Sequence, residues 1–175
     1  MTKQFLILLL TIAHFKTEGQ SSSKCNCKAL VDVEYKKEIV VFDKPNGEVL
    51  KRIMHNIKEE DFLILTIRKD SLDYFYVDIS YSIRENTNTR GWIKKTNAIG
   101  IYARNYSLGE KLNLYSRPNL TSKIISTIPE WTNQLYVITK CSQEWAYVKI
   151  KYKGQLKEGW LQPDEQCDNP YTTCN

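Results

Sequence analysis

Five segments of this chain recur in the same order further along it, and that repetition limits the fold more than any single motif does. Phe42-Asp43-Lys44-Pro45-Asn46 is matched by Tyr115-Ser116-Arg117-Pro118-Asn119 at an offset of 73. Val49–Ile53 is matched by Ile124–Ile128 at 75, and Leu63–Thr66 by Tyr136–Thr139 at 73. Tyr74–Ile79 is matched by Trp145–Ile150 at 71, and Gly91-Trp92-Ile93 by Gly159-Trp160-Leu161 at 68. The offset changes fall in polar turns. Five ordered matches describe two copies of one module, each of roughly 65 residues.

Each copy reads as short strands. Glu38–Phe42 is rich in β-branched residues and stops at the turn signal Pro45-Asn46-Gly47. Phe62–Ile67, Tyr74–Ile79 and Arg90–Ile93 are further apolar runs, repeated as Leu112–Tyr115, Leu135–Thr139, Trp145–Ile150 and Glu158–Leu161. No stretch sustains a 3.6-residue period over three turns. The 11 Tyr and 4 Trp also favour strands. The expected class is all-β, with two small barrels in tandem over residues 28–96 and 106–166. The intervening 96–107 is apolar and aromatic, unlike a flexible linker, so the two units are expected to pack together.

Residues 1–19 read as a cleaved signal peptide. Lys3 opens it, and Phe5–Phe15 is an apolar stretch too short to span a bilayer. Its removal takes away His14 and leaves His55 as the only histidine. The protein is therefore expected to be exported, to the periplasm, the cell surface or the medium, with no stable membrane insertion of the mature chain. All five cysteines lie beyond residue 19, where an oxidising compartment makes them disulfide candidates. Cys167 and Cys174 close a short loop around Pro170 in a tail at 167–175, and their pairing is favoured, with Cys141 as the competing partner. Five is odd, so one thiol is left over or pairs outside the chain. Cys25-Asn26-Cys27 has too few ligand types nearby for a metal site.

The second copy, Leu112-Asn113-Leu114-Tyr115-Ser116-Arg117-Pro118, then Ile124–Ile128, Trp145-Ala146-Tyr147-Val148 and Gly159-Trp160-Leu161, resembles the bacterial SH3-like (SH3b) domain. It departs from that family at Tyr115, where Arg is usual, and at Arg117, where Gly is usual. The first copy diverges further, with Ile39-Val40 for Leu-Asn and Tyr74 for the first Trp. The two copies cover about residues 30–95 and 108–163. The resemblance implies small exported β-barrels that bind peptidoglycan or mediate protein contacts, frequently attached to a wall hydrolase. The two copies and the leader account for this chain, so no catalytic domain is expected.

Ligand candidates follow from the turns and the aromatic residues. Tyr115 and Trp145 sit beside turns, and their faces suit a Pro-rich peptide or a sugar ring. Tyr147 shares a strand face with Trp145. Arg117 and Lys123 flank one turn and are placed to meet a carboxylate, or are solvated surface. Trp92 and Trp160 are barrel-wall residues or parts of the platform. Tyr74, Tyr76 and Tyr81 occupy the corresponding region of the first copy, and Trp131 is either a cap over the contact between copies or an exposed contact. The loop 82–90 is longer than its counterpart and reads as a solvated hairpin tip. Enzyme chemistry is disfavoured: a Cys–His pair or a Ser–His–Asp set has only His55 to draw on, placed in a polar turn, and Glu59-Glu60-Asp61 reads as a solvated acidic turn. The net charge of +5 is too mild and diffuse for nucleic acid. No cofactor is expected. The expected function is binding of a cell-envelope ligand, peptidoglycan or another wall glycan, with an adaptor or inhibitor of an exported protein as the alternative.

Overall fold

In the computed structural model of the protein the described residues are 24–84, 89–171 and 174. The expected leader, its cleavage region and Glu85–Asn88 at the tip of the long loop lie outside them.

Period-two alternation shapes the elements. Over Trp145–Tyr152, Ala146, Val148 and Ile150 are buried while Trp145, Tyr147 and Lys149 stay at the surface. Among the described residues thirteen strands form, several with the same alternation: β1 (Lys24–Val31), β2 (Ile39–Phe42), β3 (Val49–Ile53), β4 (Leu63–Asp70), β5 (Tyr74–Tyr81), β6 (Thr89–Lys94), β7 (Ile99–Ala103), β8 (Leu112–Tyr115), β9 (Ile124–Ile128), β10 (Tyr136–Ser142), β11 (Trp145–Tyr152), β12 (Gln155–Leu161) and β13 (Gln166–Cys167). Among the described residues the helical elements are two three-residue 3₁₀ turns. None is long and apolar enough to cross a membrane. The fold is all-β.

The strands form one antiparallel sheet in the order β3-β2-β6-β5-β4-β1-β7-β10-β11-β12-β8-β9, with β13 added on β7. The order mirrors itself about the β1–β7 seam. Pairing details mirror too. Phe42 lies opposite Val49 and Trp92, as Tyr115 lies opposite Ile124 and Trp160. A β-bulge follows Ile67 in β4, and another follows Ile138 in β10.

Those bulges correct the sequence alignment at one place. Thr66 opposes Asp78 and Val137 opposes Lys149, so β4 corresponds to β10 at an offset of 71 rather than 73. A shift of two residues keeps every side chain on its own face, so the apolar pattern cannot reveal it.

Two closed barrels are not what forms. The hydrogen-bonded path is open, with β3 and β9 as its ends. The reason lies at the seam. In each half, the strand farthest from that open end pairs across to the other half, Leu30 with Gly100 and Val31 with Ile99, rather than back to its own β3 or β9. One buried core runs through both halves, from Val41 and Phe75 to Leu114 and Ile150.

The seam has covalent and polar ties. Cys27 in β1 is disulfide-bonded to Cys141 in β10, across a Cα separation of 6.2 Å. The Asn26 amide donates to the Gln143 carbonyl at 2.6 Å, and the Gln143 amide to the Lys24 carbonyl at 2.8 Å. Lys95 lies between the halves, its Nζ 2.5 Å from Asp70 Oδ1 and 2.9 Å from the Thr139 carbonyl. The other Asp70 oxygen accepts the Cys141 amide at 2.8 Å. Cys25 is buried and donates its thiol to the Cys141 carbonyl.

Cys167 is bonded to Cys174, and the described residues of this segment are tied back to the sheet. β13 pairs with β7, and Tyr171 reaches the first half: its hydroxyl donates to the Glu60 carbonyl at 2.6 Å and its ring lies 5.5 Å from that of Phe62.

The Gly-Trp pairs have a steric reason. A Cβ on Gly159 would stand 2.8 Å from Leu114 Cβ and 3.1 Å from the Tyr115 carbonyl, and φ there is +152°. On Gly91 it would stand 2.8 Å from the Phe42 carbonyl. Each glycine lets β8 or β2 cross closely, which sets the following Trp beside Tyr115 or Phe42. Gly154 differs: it ends the β11–β12 hairpin at φ +81° with open space around it. Gly159→Ala is therefore expected to lower stability by about 3 kcal/mol through strain and overpacking. Gly154→Ala costs about 1 kcal/mol. Urea unfolding of the oxidised proteins compares the two, and equal effects would contradict this account of Gly159.

Candidate functional site

The outward face of β8, β11 and β12 holds four aromatic residues in contact. Trp160 lies cross-strand from both Tyr115 and Tyr147. Tyr115 meets Trp145 edge-on at 5.7 Å between ring centroids, and Tyr147 meets Trp160 edge-on at 5.4 Å. All four are half-buried. The bulge in β10 turns Lys140 so that its ammonium stands 5.4 Å from the centre of the Tyr147 ring. Burial, then the neighbouring Glu158 carboxylate, raises the Tyr147 phenol above its ordinary value, so it stays neutral and able to donate.

The first half repeats the arrangement on β2, β5 and β6. Phe42 meets Tyr74 edge-on at 6.0 Å, Tyr76 meets Trp92 at 5.3 Å, and Lys69 stands 5.4 Å above Tyr76. Phe42, Trp92, Lys69 and Lys140 complete these faces, and neither lysine is marked as a ligand residue by its local sequence. Their signal was already in the matched segments around Phe42 and Trp92. The lysines were hidden by the two-residue register error in β4.

The faces are not identical. Tyr74 is only 7% exposed, and its hydroxyl donates to Asn46 Oδ1 at 2.9 Å, so the β2–β3 turn closes that end. Trp145, at the matching position, is only half-buried, which leaves the second face more open. Further along, the charges are reversed across one rung: Asp78 opposite Arg90 in the first half, Lys149 opposite Glu158 at 3.3 Å in the second. Burial alone would raise the Asp78 carboxyl, but Arg90 and Arg68 hold it below the ordinary carboxylate range. Stacked aromatic edges with a lysine beside them suit the apolar face of a sugar or a proline ring, with a cation placed for a nearby carboxylate.

Arg117 stays apart from this group. It lies exposed in the β8–β9 turn, across from Lys123, and among the described residues neither pairs with a carboxylate. The structure thus gathers Tyr115, Trp145, Tyr147 and Trp160 and leaves Arg117 at the rim. Tyr81 belongs to another cluster: its hydroxyl donates to the Met54 carbonyl, and the Arg84 guanidinium lies 4.1 Å from its ring centre.

The acidic turn is solvated at Glu59 and Glu60 but not at Asp61, and His55 in its polar turn is buried as well. Asp61 is 1% exposed and accepts from the Ile83 amide at 2.8 Å, from Ser82 at 3.2 Å and from Arg84 at 2.6 Å. It organises the start of the long loop after β5. His55 is 5% exposed. The Leu63 amide donates to its Nδ1 at 3.0 Å, so Nε2 must carry the proton and donates to the Asp32 carbonyl at 2.9 Å. Both residues are structural because their polar atoms are already engaged, those of His55 by backbone groups and those of Asp61 by the Ile83 amide, the Ser82 hydroxyl and the Arg84 guanidinium. Among the described residues no group of three His, Cys, Asp or Glu side chains is placed to hold a metal ion.

His55 makes stability depend on pH. Burial lowers its pKa more than the Asp32 contacts raise it, so the folded protein keeps it neutral where the unfolded chain protonates it. Its contribution is complete above about pH 6.5 and is lost as pH falls below that value, with a slope of at most ~1.4 kcal/mol per pH unit. Urea unfolding between pH 7.5 and 5 is expected to show this slope in the native protein and a shallower one in His55→Gln. Equal slopes would rule out His55 as the titrating group.

Comparison with known proteins gives no match: no family model, no curated protein and no solved structure aligns significantly with the chain.

Proposed function

We propose that the chain is a non-catalytic, exported binding protein made of two SH3-like modules, whose two aromatic faces bind a cell-envelope ligand, peptidoglycan or another wall glycan. The observation that carries this reading is the recurrence of the same aromatic group and lysine on both halves. A structural core needs aromatic residues inside, whereas seven of these eight, all but the buried Tyr74, lie partly exposed on the outer face at matching positions. Two weak sites in one rigid chain favour a polymeric ligand with repeated epitopes, because the second contact forms at high effective concentration. Export is supported by the apolar leader and by two disulfides, which call for an oxidising compartment. No cofactor, nucleic acid or membrane insertion belongs to this reading.

A second reading, an adaptor or inhibitor that binds an exported protein, rests on a different feature. The open ends of the sheet expose Val49 and Leu50 on β3 and Ile124 and Ile125 on β9. Free edges with apolar side chains can accept an added strand from a partner.

The deciding experiment is co-sedimentation of the mature protein, from Gln20 onward, with insoluble peptidoglycan. The intact protein is expected to pellet. The Tyr115→Ala/Trp145→Ala variant is expected to lose binding, and Phe42→Ala/Trp92→Ala to bind roughly 10- to 100-fold more weakly through lost avidity. No pelleting of the intact protein, with a stoichiometric protein recovered instead, would replace the glycan reading with the second.

A further inference from the structure

The aromatic faces are not the only concave surface with ligand chemistry. Where the two halves meet, a cleft of about 280 Å³ opens between Tyr102 and Ala103 of β7, Trp131 in the β9–β10 connection, and Pro170 and Tyr171 of the disulfide loop. Through Val33, Tyr102 and Asn133 it continues into a second depression bordered by Asp32 and Glu34. One groove therefore has aromatic and apolar walls at one end and two carboxylates at the other.

Its walls are anchored. β13 holds Cys167 opposite Tyr102, and the Cys167–Cys174 bond closes the loop that presents Tyr171. Tyr171 is fixed from behind by its hydrogen bond to Glu60 and its packing on Phe62. The Asp32 backbone is held on both sides, its amide donating to the Ala98 carbonyl at 2.7 Å and its carbonyl accepting from His55. Asp32 Oδ1 accepts the Glu34 amide at 3.0 Å. Among the described residues neither Asp32 nor Glu34 has an ion-pair partner. The field in the groove is negative: after burial, the Asp32 and Glu34 charges are what raise the Tyr102 phenol above its ordinary value.

We propose that this inter-half groove receives a lysine side chain presented by a protein partner. The match is one of shape and charge. A lysine stem is apolar and packs on aromatic and aliphatic walls, while its ammonium is attracted both to the face of an aromatic ring and to carboxylates. The aromatic end of the groove, at about 280 Å³, has room for one extended side chain, and the acidic end beyond it has room for the charged head and the flanking backbone. An anionic ligand would meet the two carboxylates, and a neutral sugar would leave them unused. The site lies on residues different from those of the two aromatic faces, so it stands or falls independently of the glycan reading.

The test is an NMR titration of the full mature, oxidised protein with Nα-acetyl-lysine methylamide, using the norleucine analogue as the uncharged control. The expected result is saturable shifts at the Trp131 indole N–H and at the Tyr102 and Tyr171 amides, with the norleucine analogue at least several-fold weaker. Trp131→Ala, at a position already 38% exposed, is expected to retain the native spectrum and to bind roughly tenfold more weakly. Asp32→Asn/Glu34→Gln keeps the Asp32 acceptor for the Glu34 amide. It is expected to abolish the preference for lysine over norleucine. Equal binding of the two ligands to the native protein, or shifts confined to the outer aromatic faces, would overturn the proposal. So would lysine binding that persists unchanged in both variants.

Discussion

The β1–β7 seam is the constraint on which the rest of the molecule depends. Each half alone is a small sheet with a modest core and an exposed edge, a combination of marginal stability. Pairing Leu30 with Gly100 and Val31 with Ile99 converts two such edges into the centre of one sheet. The Cys27–Cys141 bond then closes a span of 114 residues, which in a chain-entropy description destabilises the unfolded state by about 5 kcal/mol. The Lys95–Asp70 pair is itself mostly buried, and its worth comes from the further bonds to Thr139 and Cys141, which leave neither charge uncompensated.

The aromatic faces on the outer surface follow from geometry in the core. Close crossing of β8 over β12 requires glycine at 159, and that crossing places Trp160 between Tyr115 and Tyr147. The bulges in β4 and β10 do the corresponding work for Lys69 and Lys140, rotating each onto a tyrosine ring. The seam also shapes the surface in its own way. It brings β7, the residues after β1 and the C-terminal disulfide loop to one place, and the groove with aromatic walls and an acidic end exists only there.

Much of this was legible in the chain, and the failures have identifiable causes. Strand-forming segments such as Trp145–Ile150 and Leu112–Tyr115 announce themselves by alternation and β-branched or aromatic content. Tyr115, Trp145, Tyr147 and Trp160 were readable as one group because turns and i, i+2 spacing place them on a common face. Arg117 was drawn into that group because it flanks the neighbouring turn with Lys123, where a cation could meet a carboxylate. The polar surroundings of His55 and Asp61 suggested solvent, yet both are buried, since a polar side chain can be interior when backbone groups satisfy it. Strand β1 and the long-range disulfide were invisible because no local pattern encodes a partner 114 residues away.

The amino-acid sequence by itself determined the all-β class, the order of most strand-forming segments, the Gly-Trp positions and the alternating faces of segments such as Trp145–Ile150. These depend on interactions between near neighbours and on a period of two. Tertiary structure alone decided that the sheet stays open at β3 and β9, that β4 and β10 correspond at 71, that Cys141 bonds to Cys27, and that Tyr171 crosses to the first half. Each of those outcomes is a choice among distant partners that satisfy the same local pattern equally well. Edge pairing, packing and covalent closure between the halves make that choice.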